Sequence, residues 1–290
     1  MWVRLLLTND DGIQSIGLHV LATHLADAGH EVVVVAPNAD WSGAAASLGR
    51  LDPREKVDVE RVEIPGAPAI EAWALAGPPA LTVLSTRLGA FGAEPDLVVS
   101  GINAGLNTGR AVLHSGTVGA ALTAQNFGWS GLAISSQWSD PFHWETAARF
   151  AVEVLDLFVD APARSVLNLN VPARPYDEVL GLRWARLAPF GEVQAAMDGA
   201  ASGGLQFDLC PTDEPFDPDT DSGTVLEGYA AITALVGVVE AWPADAGLDE
   251  VAEGGEVDVS AVMRPGAPLH AVHRLPDITD EISLRGVPLA

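Results

Sequence analysis

Short, apolar, β-branched runs alternate with stretches of helical period through the first half of the chain, and that alternation restricts it to an α/β architecture. Val3–Leu7 and Glu31–Ala36 are such runs, and between them Leu18, Leu21, Leu25 and Ala28 recur at the spacing of one helix face. Gly29 stands just past that helix, where a left-handed cap residue belongs. The order repeats with a helix over Ala80–Leu88, a strand at Asp96–Ser100, a helix from Gly116 to Phe127 and a strand at Leu132–Ser135. An amphipathic stretch, Thr146–Phe158, then leads to a strand at Ser165–Leu169. Strands separated by helices of this length predict a doubly wound, mostly parallel sheet. The valines at 32–35 are apolar on both faces, as an interior parallel strand requires.

Two regions break the pattern. Arg50–Ala74 alternates charged and apolar residues and predicts a half-exposed antiparallel hairpin inserted near 50–74. From Arg174 to Asp221 the chain is rich in Gly, Pro and Asp, which predicts loops and an accessory lobe. The expected division is a core over 1–173 and an accessory region over 174–290, with a strand near 228–238 that can return to the core.

Composition narrows the function classes. No apolar run approaches the roughly 20 residues needed to cross a bilayer, and MWVRLLL is too short for a leader, so a cytoplasmic protein with no membrane partner is expected. Cys210 is the single cysteine, which leaves neither an internal disulfide nor a thiolate metal cluster. The 39 acidic residues outnumber the 15 lysines and arginines, for a net charge of −24. Such a field repels polyanions and argues against duplex nucleic acid as a partner, while small anions remain open to a site with its own positive charge.

The strongest local signal is Thr8-Asn9-Asp10-Asp11-Gly12, directly after the first strand. Ligands of doubly wound sheets bind at the carboxyl ends of strands, so the motif stands where a site belongs. Two adjacent carboxylates repel by about 1 kcal/mol even in water, and a cation between them relieves that. Alone, Asp10-Asp11-Gly12 reads more simply as an acidic turn capping a helix. It is joined, however, by Ser42-Gly43 after the second strand and by Gly101–Asn107 after the strand DLVVS. Carboxylates, a hydroxyl and amide oxygens without His or Cys suit a hard divalent ion, magnesium or manganese. Ser115-Gly116-Thr117 then opens a small-residue helix, whose free amides and dipole can hold an anion, although small residues also permit close helix-to-sheet packing. A metal site beside an anion site points to phosphate-ester chemistry.

Together with PDLVVSGINAGLNTG at 95–109, SGTVGAA at 115–121, LNLNVP at 167–172 and TDSGTVLEGYAAIT at 220–233, these motifs resemble the SurE family in the family's order over roughly residues 1–235. The resemblance implies a Rossmann-like fold with a C-terminal accessory lobe that serves oligomerisation, giving homodimers or homotetramers. It also implies a nucleotidase of broad, acid-phosphatase-like action on 5′- and 3′-nucleoside monophosphates, dependent on one divalent ion per subunit. The family's metal ligands fall on Asp10, Asp11, Ser42 and Asn103, with the two aspartates catalytic. Its phosphate-binding positions fall on Asn107, Ser115, Gly116 and Thr117. Asn9, Gly43, Arg110 and His114 are candidate substrate contacts. The chain departs from the family at Ser15-Ile16-Gly17, Ala44–Ala46, Gly77–Thr82 and at Arg110, Ala111 and His114, none of them a metal ligand.

Two other functions compete. A dinucleotide-dependent oxidoreductase would share the fold class, but no G-x-G-x-x-G follows the first strand. A SurE-like protein that binds nucleotide or phosphate without turnover is the second, motivated by the altered loops. His114 is the one histidine beside the phosphate motif and is expected to pack or contact substrate more than to act as a general acid, since the family places tyrosine there.

Overall fold

The computed structural model describes residues 3–238 apart from 160, 192, 202–203 and 213–214. The remainder of the expected accessory region, beyond 238, lies outside the described residues. The chain opens with β1 (Arg4–Thr8), α1 (Ile16–Asp27) and β2 (Glu31–Pro37), followed by β3 (Val59–Val62), β4 (Glu71–Leu75) and α2 (Pro79–Arg87). It continues through β5 (Leu97–Ala104), α3 (Gly116–Asn126), β6 (Ser130–Ser136), α4 (Trp144–Leu155) and β7 (Val166–Val171). Then come β8 (Leu182–Trp184), β9 (Val193–Ala201), β10 (Gly204–Pro211), α5 (Asp221–Leu226) and β11 (Ala230–Leu235).

Nine strands form one sheet in the order β3-β4-β2-β1-β5-β6-β7-β11-β8. Neighbours from β4 to β7 run parallel. The period-2 alternation of the strands sends neighbouring side chains to opposite faces. Leu5, Leu7, Val32, Val34 and Val99 pack with Leu18, Leu21 and Leu25 of α1 and with Phe150 and Val154 of α4. Leu6, Val33, Val35 and Val98 pack with Leu81 and Val83 of α2 and Ala120 and Ala124 of α3. Leu5, Leu7, Leu18, Leu21 and Leu25 are fully buried, and each such side chain contributes roughly 1.5–3 kcal/mol relative to exposure. α1 ends where Gly29 takes φ +92°, a conformation glycine adopts without steric cost.

The structure extends one sequence expectation and corrects another. The segment read as an inserted hairpin does contain an antiparallel pair, β3 with β4, but β4 also pairs in parallel with β2, so the segment widens the main sheet. β3 is the exposed edge strand, which accounts for the charge alternation around it. Within the region read as loops, β9 and β10 form an antiparallel hairpin, with Val193 opposite Pro211 and Ala201 opposite Gly204. β9 reads VQAAMDGAA, and Ala and Gly carry too little strand propensity to announce it. β11 pairs antiparallel with β7 and parallel with β8. No helix among the described residues is long and apolar enough to cross a membrane.

The chain leaves β1 sideways to β2 and returns on its other side as β5. That reversal opens a crevice at the carboxyl ends of β1 and β5, where ligands of such sheets bind.

Candidate active site

Residues 9–12 follow β1 into the crevice as a tightly braced turn. Asn9, fully buried, donates from Nδ2 to the Gly12 carbonyl (3.0 Å) and accepts the Gly12 amide at Oδ1 (3.2 Å). Gly12 adopts φ +98°, and a Cβ there would lie 3.2 Å from the Ala39 carbonyl. The backbone of the turn is therefore fixed before any ligand is considered.

Asp10 is buried, 3% exposed. Thr117 Oγ1 donates to its Oδ1 across 107 residues of sequence. Burial pushes the Asp10 carboxyl above its ordinary pKa, while Thr117 and the amides of Thr117, Asp10 and Gly116 pull it down. A Cβ on Gly116 would stand 2.8 Å from Asp10 Cβ and Oδ2, so only glycine lets α3 begin this close to the carboxylate. Ser115 caps α3 by accepting the Val118 amide at Oγ (3.1 Å). The acidic turn and the helix start are in direct contact.

Asp11 is half-buried, and its Oδ2 is buried with no hydrogen-bond partner. Its carboxyl is pushed up to about 7, first by burial, then by the charges of Asp10 and Asp40, against an amide hydrogen bond from Ala104 at the end of β5. Acids perturbed by burial and like charge inside a crevice cluster at functional sites.

The loop after β2 is tied to the same place, because the Trp41 amide donates to the Asp10 carbonyl (2.8 Å). Ser42 and Gly43 are exposed on it. Asp40 Oδ1 accepts both the amide and the hydroxyl of Ser42, each at 2.7 Å. Asn103, near the end of β5, donates from Nδ2 to the Gly105 carbonyl (2.7 Å), which leaves its amide oxygen as the end not taken by that bond. Asn107 is held on every side by strand residues. Its amide donates to Asn170 Oδ1 (2.9 Å) and its Nδ2 to Ser135 Oγ (2.8 Å). Its carbonyl accepts Asn168 Nδ2 (2.8 Å) and Asn170 Nδ2 (3.0 Å).

The structure thus brings Gly116 and Thr117 into contact with Asp10, sets Asp11 beside it, and ties the loops of Ser42 and Asn103 to this pair through the Trp41 and Ala104 amides. Arg110 and His114 are exposed on a 3-10 turn, Gly109–His114, leading into Ser115. The His114 carbonyl accepts the Ala45 amide (3.2 Å), joining that turn to the loop after β2.

Residues 5–192 match the sequence model of the family described as Survival protein SurE. The chain belongs to the SurE family. A 5'-nucleotidase SurE from Stenotrophomonas maltophilia is 37% identical over 240 residues, covering 80% of this chain and 89% of the relative. A 5'/3'-nucleotidase SurE from Erwinia tasmaniensis is 36% identical over 240 residues, covering 80% of this chain and 90% of the relative. The crystal structure of the SurE protein from Aquifex aeolicus superposes with a TM-score of 0.68 at 27% identity, covering 86% of this chain and 99% of that one.

Four further residues of this SurE chain support the site, three of them inside the motifs LNLNVP and TDSGTVLEGYAAIT, without a role being assigned to them from the sequence. Asp40 braces Ser42, and a lone Asp two positions before a Ser carries no distinctive signal. Asn168 and Asn170 clamp Asn107; two asparagines at i and i+2 in the apolar strand VLNLNV share one sheet face, which was a readable signal. Asp221, fully buried, accepts the amides of Gly109 (2.8 Å), Ala188 (2.9 Å) and Ser222 (2.9 Å), and Ser222 Oγ donates to Thr108 Oγ1 (2.8 Å). Asp221 therefore anchors the start of the turn that delivers Ser115.

Proposed function

We propose that this chain is a metal-dependent phosphomonoesterase, a 5′/3′-nucleotidase that hydrolyses nucleoside monophosphates to nucleoside and inorganic phosphate. The contact between the acidic turn and the α3 start carries this reading. It sets a cation site and an anion site side by side, as a phosphoryl group requires, and the nucleotidase names of the SurE relatives agree.

The residues fit a hard divalent ion. Asp11 Oδ2 is a buried oxygen without a partner, and both aspartates are held above the usual carboxylate range by burial. Among the described residues no group of three or more His, Cys, Asp or Glu could hold a metal. A site here therefore rests on two carboxylates with neutral oxygens, a set that suits magnesium or manganese. We assign Asp10, Asp11, Ser42 and Asn103 to one such ion per subunit. When bound, the ion supplies Lewis-acid polarisation of the phosphoryl oxygens and neutralises developing charge.

The chain's own groups do the rest. Asn107, Ser115, Gly116 and Thr117 hold the phosphoryl oxygens, the α3 dipole favouring negative charge there. The Thr117 hydroxyl and the amides of Gly116 and Thr117 are directed at the Asp10 carboxyl, so these two residues act by setting the positive end of α3 against the site, while the Ser115 hydroxyl, whose oxygen accepts the Val118 amide, keeps its proton to donate. Asp11 orients the attacking water and takes its proton at the carboxylate. Asn9 acts as a brace for the turn, while Gly43, Arg110 and His114 lie on exposed loops within reach of a substrate's outer parts.

Phosphate release from a panel of nucleoside monophosphates, with and without chelator, tests this. Release that stops on chelation and returns with magnesium or manganese is expected. Full activity after exhaustive chelation overturns the metal role, and no release from any phosphomonoester favours a binding protein without turnover. We also propose a homodimer or homotetramer, supported by the exposed apolar side chains of Leu182 (37%) and Trp184 (60%) on edge strand β8. A single chain mass by light scattering at micromolar concentration refutes it.

A further inference from the structure

Beside the crevice stands an aromatic ladder that the hydrolytic site does not use. Phe142 stacks on Trp144 with ring centroids 4.3 Å apart and planes 12° from parallel. Trp138 meets Phe142 edge-on, at 6.2 Å and 79°. In an edge-to-face pair at most one face of one ring is covered, so Trp138 keeps at least one open face. It is 68% exposed.

Three observations place the ladder at the same edge of the sheet as the acidic turn. Trp138 lies two residues beyond β6, whose last residue, Ser136, accepts the Gly105 amide (2.9 Å) from the loop that carries Asn103 and Asn107. The Trp144 ring lies 3.0 Å from the position of a Cβ on Gly17, in the first turn of α1 just after the acidic motif. β6 is also the second strand from β1 in the sheet, a lateral distance of about 10 Å at ordinary strand spacing. Trp144 packs on the α1 and α4 face of the sheet and α3 on the other, so a nucleotide with its phosphate at β1 and the start of α3 would reach the ladder by crossing over the carboxyl ends of β5 and β6.

We propose that Trp138 is the nucleobase platform of this enzyme, stacking the base of a nucleoside monophosphate whose phosphate sits at the crevice. The inference rests on the nucleotidase reading above. An indole accepts any base on its π face, so the platform favours nucleotides over phosphomonoesters lacking a base without selecting strongly among bases. Phe142 meets the indole edge-on and is itself stacked on Trp144.

Two measurements on the full chain test it, comparing the wild type with Trp138→Ala and Trp138→Phe. The first is kcat/KM for AMP and GMP against ribose 5-phosphate, which carries the same phosphorylated sugar without a base. Removing the ring should lower the nucleotide-to-ribose 5-phosphate ratio about tenfold, mainly through KM, and Trp138→Phe should restore most of it. The second, independent of turnover, is quenching of intrinsic tryptophan fluorescence. AMP should quench the wild type, ribose 5-phosphate should not, and Trp138→Ala should lose the quench. An unchanged ratio together with an unchanged quench overturns the platform. So does an equal loss on all substrates accompanied by a change in oligomer mass, which would make Trp138 a subunit contact. A protein that quenches with AMP but hydrolyses nothing keeps the platform and refutes the hydrolytic reading instead.

Discussion

Thr117 and Asp10, 107 residues apart, meet inside the protein through a hydrogen bond from the threonine hydroxyl to a buried carboxylate oxygen. Asp10 sits in surroundings that favour its neutral form, and Thr117 is the largest influence opposing that. Hydrogen bonds to a charged group contribute about 1.5–3 kcal/mol. Thr117→Val, close in shape, should therefore weaken divalent-ion affinity and lower kcat/KM by roughly 10- to 100-fold. Isothermal titration with manganese and steady-state kinetics read the two effects. Wild-type affinity in the variant would remove Thr117 from the support of Asp10.

Asp11 links the site to pH. Its folded pKa of about 7 lies above the 3.8 of an unperturbed aspartate. Between these values the native state holds more protons than the unfolded chain. This group's contribution to stability therefore falls as pH rises through that window, and the cost is complete above about 7. Asp11→Asn should abolish turnover yet raise the stability of chelated protein at pH 8, by an amount on the order of 2 kcal/mol after allowing for partial exposure. The gain should vanish at pH 4. Thermal melts in chelator across that range decide it, and magnesium added at pH 8 should close part of the gap by stabilising the wild type.

Asn170 both accepts the Asn107 amide and donates to its carbonyl. Asn170→Asp keeps the acceptor and removes the donor, whereas Asn170→Leu removes both and leaves the Asn107 amide without its partner, at about 1–3 kcal/mol, while Asn168 still bonds the Asn107 carbonyl. A graded loss of kcat/KM is expected, about tenfold for Asp and larger for Leu. Equal activity in all three proteins would show that Asn107 needs no such clamp.

Asp221 accepts three amide hydrogen bonds while fully buried, and burial raises its pKa against them. Asp221→Asn turns an amide donor toward one of those N–H groups and should cost roughly 2 kcal/mol of stability. Urea denaturation reads the loss. Because Gly109 begins the turn that leads to Ser115, kcat should fall as well, even where the variant is fully folded.

How far the sequence disclosed this site depended on residue type. Asp10, Asp11 and the Ser115-Gly116-Thr117 start were legible because acids and small polar residues are costly at strand ends unless something uses them. The doubly wound core was legible because its strands are buried on both faces and carry valine in runs. Asp40 and Asp221 were not, since an aspartate that serves a neighbour's amide looks like any turn residue until the fold brings the amide to it. β9 was hidden for another reason: its alanines and glycines favour no strand, and pairing with β10 decides its conformation. Trp138 lay in plain view, but its exposure and its place beside the crevice are properties of the folded edge alone.

The central position of β1 has a consequence for biosynthesis. β2 can cover one flank of β1 early, but the other flank waits for β5, about ninety residues later, and at roughly 5–20 residues per second of synthesis that takes about 5 to 18 seconds. For that interval the nascent chain presents an unpaired apolar strand edge, and its acidic turn has no Gly116 or Thr117 to meet. Chaperone demand during translation should concentrate in this window, and ribosome-bound chains truncated before Leu97 should be the ones that aggregate.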